Sequence, residues 1–162
     1  MNELTAAIEA LDPNVVAGLA LATTGVIVGS IITALVRYLL ISIGYSKMHR
    51  KAGEAGWKAF IPFYNTYNNY KISWNGERFF QYAVLYILFT VMCNSTMLSL
   101  QLAGILAGII LITIMVNQNV KMANRFGKGT GNGIALMFFP GITSLILGLG
   151  KAEFRAEMIG NN

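Results

Sequence analysis

The sequence predicts an all-α integral membrane helical bundle, and three observations carry that prediction. Only 12% of the 162 residues are charged while 55% are hydrophobic, and mean hydropathy is +0.57. A soluble domain usually carries about 25% charged residues. Apolar runs without a charge are long enough to cross a bilayer. Basic residues stand beside those runs and not on a soluble face. The formal charge of +5 therefore belongs to topology and anionic lipid headgroups, and no nucleic acid is expected as a partner. The length suits a single membrane domain over 1–162.

At the N-terminus, Leu4, Ile8 and Leu11 recur at helical spacing and predict a short amphipathic helix on the membrane surface. Residues 1–12 contain Glu3, Glu9 and Asp12 and no basic stretch, so the apolar run that follows reads as an uncleaved span and not as a signal peptide. Asp12-Pro13 provides a helix start, with Asp as N-cap and Pro at the first helical position. From Val15 to Val36 there are 22 residues without a charge, enough for a hydrocarbon core of about 30 Å. Nothing breaks this helix before Gly53, so it is expected to project beyond the membrane carrying Lys47, His49, Arg50 and Lys51. Pro62 suits a helix beginning near Ile61, which predicts a short interfacial helix over about 62–73. Trp57, Tyr64, Tyr67, Tyr70 and Trp74 would contribute to an aromatic belt.

Asn75-Gly76 is a turn, and residues 79–92 start a second span that either continues to about Leu98 or turns tightly at Asn94. The third span covers about Met97 to Val116, and its helix is expected to run on to Gly127. The last apolar run, Ile134 to Leu149, has 16 residues with Pro140-Gly141 near its centre. It reads as a kinked fourth span or a re-entrant hairpin, because Pro-Gly both breaks helices and permits turns. The expected architecture is thus three transmembrane helices, an interfacial aromatic helix and a Pro-Gly-broken final segment.

Positive charge orients the chain. The 45–78 loop holds six Lys or Arg residues and the 117–131 loop three, so both are expected on the cytoplasmic side of the cell membrane with the N-terminus outside. A weak internal duplication, about 15–73 and 97–150, is also suggested. Lys47-Met48 followed by Gly53 recurs as Lys121-Met122 followed by Gly127, and Gly25-xxx-Gly29 has a counterpart in Gly104-xxx-Gly108. These two glycine pairs are candidate helix-packing faces.

At Lys51-Ala52-Gly53, Gly56-Trp57 and Ile61-Pro62-Phe63-Tyr64-Asn65, the chain resembles a bacterial and archaeal family of small multi-pass membrane proteins of unknown function. The resemblance extends to Ala123-Asn124-Arg125-Phe126-Gly127-Lys128 and the Gly-rich end at Ile146–Lys151, and covers roughly residues 30–155. It implies architecture and no activity. Some members are described in connection with signal peptidase, but that enzyme's Ser-Met-x-Pro motif is absent here; Ser46-Lys47 side by side is no catalytic dyad.

Chemistry-bearing residues are sparse. His49 is the only histidine and reads as part of the solvated face of a basic helix. Cys93 is the only cysteine; with no second histidine to activate it, it reads as a small residue at a span end. No Asp or Glu lies within a span, which counts against cation-coupled transport. Gly127-Lys128-Gly129-Thr130-Gly131 lacks the full phosphate-loop pattern and reads as a helix end and turn. Neither a catalytic nor a metal site nor a cofactor is expected. Lys47, Arg50, Lys51 and Lys58 are candidate contacts for anionic lipid headgroups, and Trp57, Pro62, Tyr64, Asn65 and Pro140 are candidate interaction or pathway residues. The expected function is that of a non-enzymatic scaffold or accessory subunit with a membrane-protein partner or a second copy of itself. The alternative is a small channel or transporter with its pathway between the Pro62 and Pro140 segments.

Overall fold

The computed structural model describes residues 12–156, so the predicted surface helix at 3–11 lies outside the described residues. Helix α1, Pro13–Lys51, begins as its sequence requires. The Asp12 carboxylate accepts from the Asn14 amide at 2.7 Å, and the Asp12 carbonyl accepts from Val15 and Val16. In the apolar part of α1, the hydroxyls of Thr24, Ser30 and Thr33 donate to carbonyls one turn back, leaving no hydroxyl unpaired among aliphatic neighbours.

The chain divides into two compact units after Tyr38. The first holds the uniformly apolar stretch of α1. The second starts with the last turns of α1 and contains everything after them.

Within the second unit, α1 ends in a Schellman turn. Gly53 has φ +80°, its amide donates to Arg50, and the Glu54 amide donates to His49. A 3₁₀ turn, Gly56–Phe60, leads to α2, Pro62–Ser73, with Pro62 in its first turn. Helix α3, Glu77–Cys93, and α4, Leu98–Arg125, form an antiparallel hairpin. The chain turns at Asn94, whose side chain donates to the Thr90 carbonyl at 2.8 Å. Gly104 and Gly108 let α4 approach closely: a Cβ would lie 2.9 Å from the Cys93 sulfur at the first and 3.1 Å from the Phe89 ring at the second. Helix α4 ends like α1, with Gly127 at φ +66°, its amide donating to Asn124 and the Lys128 amide to Ala123.

Helices α5, Thr130–Phe138, and α6, Pro140–Leu149, break at Phe139 and fold back as a hairpin. Both of its ends sit beside the end of α4. The Arg155 amide donates to the Arg125 carbonyl at 2.7 Å, and the Phe126 and Phe154 rings meet edge-on at 5.5 Å. Helix α6 lies along the last turns of α1 and runs in the same direction: Gly141 is nearest Ile41, Ser144 faces Gly44, and Gly148 faces Gly44 and Lys47.

One buried cluster ties these pieces together. Met48 of α1, Ala59, Ile72 of α2, Met122 and Phe126 of α4 and its turn, Leu136 of α5 and Leu147 of α6 are shielded from solvent. Helices α1 and α4 are long and apolar enough to cross a membrane. Helix α3, with 17 residues, stands at the lower limit of about 17–25 residues for a span.

Candidate functional site

A strip of buried polar side chains runs beside the methionine core, and helical spacing creates it. On α1, Ser42, Tyr45, Ser46 and His49 recur at i, i+3, i+4 and i+7 and are all buried. On α2, Asn65, Asn68, Asn69 and Ser73 recur with the same period, Asn68 and Ser73 being buried. Helix α4 adds Gln118, whose amide donates to the Ser73 hydroxyl at 3.4 Å.

The hydrogen bonds fix the state of His49. The Asn69 amide nitrogen donates to Asn65 Oδ1 at 3.2 Å, which turns Asn69 Oδ1 towards the imidazole. His49 Nε2 lies 2.9 Å from that oxygen and therefore carries the proton. In the neutral ring, Nδ1 is then an acceptor. Among the described residues it has no donor, and neither the Ser42 hydroxyl nor the Asn68 amide has a partner. Burial lowers the His49 pKa below its ordinary 6.5, with the Asn69 bond opposing the shift.

The expectation of a solvated His49 is thus corrected: its side chain is fully buried. Its cover comes from elements well away along the chain, and its partner is a neutral amide 20 residues on, which no search for a nearby carboxylate would find. A pH dependence follows. The unfolded chain binds a proton near pH 6.5 and the folded chain resists it, so stability is full above about 6.5 and falls as pH drops towards the lowered folded value. The slope is at most about 1.4 kcal/mol per pH unit. Thermal midpoints in detergent should fall between pH 7 and pH 5, and His49→Gln should flatten that fall. Equal slopes in both proteins would contradict this assignment.

The candidate headgroup cations divide into two kinds. Lys47 and Arg50 are exposed. The Lys51 ammonium donates to the carbonyls of Leu147, Gly150 and Ala152 at 2.9, 2.7 and 2.8 Å, capping α6. Lys58 and Lys71 bind opposite oxygens of Glu54 at 2.8 and 2.6 Å, and they hold its carboxyl below the usual range.

The aromatic candidates form a surface of their own. Trp57 and Tyr64 are exposed, with ring centroids 5.8 Å apart. Tyr70, expected in an interfacial belt, is buried between Phe79 and Tyr82 instead. Trp74 lies between Arg78 and Lys121, each within 4.6 Å of its ring centre. Phe63, Tyr64, Tyr67, Phe79 and Phe80 line an apolar groove of about 330 Å³ between α2 and α3. Pro62 and Pro140 open α2 and α6, whose Ile72 and Leu147 reach the same core cluster.

Sequence reasoning gave no role to Ser42, Gly44, Tyr45, Ser73, Gln118 or Ser144, and Gly148 entered it only within the Gly-rich end. The only available signal was the polar i, i+3, i+7 spacing beyond Val36 in a helix that otherwise reads as basic.

No curated protein and no solved structure matches the chain. Residues 57–157, from the 3₁₀ turn to the segment after α6, match a family described as a family of unknown function, DUF5684. That match covers more than half of the 162 residues, and the chain belongs to this family.

Proposed function

We propose that this is a multi-pass membrane protein that acts by interaction, as a scaffold or accessory subunit, and not by catalysis. In this reading α1, α3 and α4 span the membrane, α2 lies in the headgroup region, and the α5–α6 hairpin re-enters from the cytoplasmic side. The N-terminus is outside, and segments 45–78 and 117–131 are cytoplasmic, following the basic residues.

The observation that supports an interaction role most directly is the aromatic groove between α2 and α3. Phe63 is 81% exposed at its edge, and the lining is apolar. Such a groove accepts apolar side chains of a neighbouring membrane helix, and aromatic anchors contribute most per residue at interfaces. A photoreactive phenylalanine analogue at Phe63, irradiated in intact membranes, should give a discrete cross-linked species. The same analogue at Ile105, on the exposed face of α4, should give none. A band at twice the monomer mass identifies a second copy, and a different mass identifies a partner. Uncross-linked monomer alone would remove the proposal.

A small channel or transporter is the second reading. It is supported by two half-length helices folded into a hairpin beside a buried polar strip with unpartnered groups, a pattern seen where broken helices line a pathway. Solute or ion flux into liposomes tests it. Absence of flux, or flux unchanged by Asn65→Leu and Pro140→Leu, would eliminate this reading.

A further inference from the structure

The turn after α4 and the segment after α6 enclose a second cleft, also about 330 Å³. Phe126 and Ile146 form its apolar floor. Lys128, Lys151 and Arg155 stand on its rim, and Glu153 is the single carboxylate among the lining residues. Three cations against one carboxylate leave a local excess of two positive charges.

The walls are held by backbone bonds, so the cations are not needed to build them. The Arg155 amide is tied to the Arg125 carbonyl, and Phe154 packs on Phe126. The carbonyls of Gly150 and Ala152, which would otherwise repel an anion, already accept from the Lys51 ammonium. The Arg155 guanidinium lies 3.3 Å from the position a Cβ would take on Gly127, so the glycine leaves room for it at the turn. Lys128, Lys151 and Arg155 are all exposed, and among the described residues none forms an ion pair.

We infer that this cleft binds a phosphate group, carried either by an anionic phospholipid or by a free phosphate compound. The basic rim supplies charge, a guanidinium supplies paired donors, and the apolar floor suits the carbon skeleton of an ester. Basic pockets beside membrane helices hold anionic headgroups in this way. The site differs from the exposed Lys47 and Arg50 of α1. The inference rests on the membrane placement proposed above and not on the aromatic groove, so cross-linking at Phe63 and phosphate binding here fail separately.

The test uses the full chain purified in a neutral maltoside detergent, with lipid retention read by native mass spectrometry. Phosphatidylglycerol should be retained about tenfold more tightly than phosphatidylcholine. Displacement by millimolar inorganic phosphate would assign the site to free phosphate compounds, and retention in its presence would assign it to the lipid. Replacing Lys128, Lys151 and Arg155 together by Gln should weaken retention about a hundredfold, at roughly fivefold per cation. Because all three are exposed, the thermal midpoint should stay at the wild-type value. Arg78→Gln, at an exposed cation outside this cleft, should change retention less than about twofold. Equal retention of both lipids with no effect of phosphate, or wild-type binding by the triple variant, would overturn the inference.

Discussion

Gly44→Leu is expected to detach the α5–α6 hairpin from the first helix. A single Cβ at Gly44 would already stand 2.7 Å from the Ser144 carbonyl carbon and from its Cβ, and backbone cannot rotate aside as a side chain can. Glycine in a helix interior costs about 1 kcal/mol relative to alanine, so replacing it would be favourable if space allowed. Here the contact decides the sign. Overpacking of one or a few carbons costs typically about 1–3 kcal/mol, and a leucine also removes the docking that buries Leu147. A loss of about 3–5 kcal/mol is expected, equivalent to roughly 10 °C in the thermal midpoint for a chain of this size. Gly148→Ala strikes the same contact from the other side, its Cβ meeting the Gly44 carbonyl oxygen at 2.5 Å. Once the first substitution has separated the helices, the second should add little, and the double variant measures that coupling. Gly131→Ala is the control: nothing lies within 4 Å of its Cβ position, and stability should hold or rise slightly. A Gly44→Leu protein that melts with the wild type would refute the close approach of α1 and α6.

Lys51→Met is expected to fray α6 at its end. The ammonium offers three protons and meets three carbonyls within 2.9 Å, at the helix terminus where carbonyls lack intrahelical donors and where the dipole favours a cation. Each charge-assisted bond contributes about 1.5–3 kcal/mol in a buried setting. Gly150 is open to water, however, and water will replace part of the loss, so about 2–4 kcal/mol is a reasonable total. Hydrogen exchange should show the signature directly: amides over 147–152 should exchange faster in the variant while those of α3 are unchanged. Lys51→Arg should rescue only in part, because a planar fork is poorly shaped for three divergent acceptors. Unchanged exchange at the end of α6 would show that the lysine is not its cap.

These two residues also show what could be read from the sequence. Asp12-Pro13, Gly53, Pro62 and Gly127 act on the backbone within a turn of themselves, and the helix starts and ends they predicted are where they occur. The period of Gly104 and Gly108 is similarly local, and both face α3. Gly44, Ser144 and Gly148 also allow close packing, but across about a hundred residues, where small side chains leave no spacing to recognise. Lys51 read as a lipid contact because its partners are carbonyls, which have no sequence signature. His49 read as solvated because burial by neutral amides is invisible to a search for opposite charge. That two helices are long and apolar enough to cross a membrane was legible from composition, while the inward-facing identities were not. Those depend on which helix ends meet, and here the first meets the last.

That pairing has a consequence for biosynthesis. Gly44 leaves the ribosome about a hundred residues before Ser144, and at about 5–20 residues per second the interval is on the order of 5–20 s. Throughout it, the strip carrying Ser42 and His49 lacks the helix α6 that lies along the end of α1. Long-range closure of this kind is slow compared with local helix formation. Translation that stops short of Pro140 should therefore release a chain that has its long apolar helices and still cannot close its polar end.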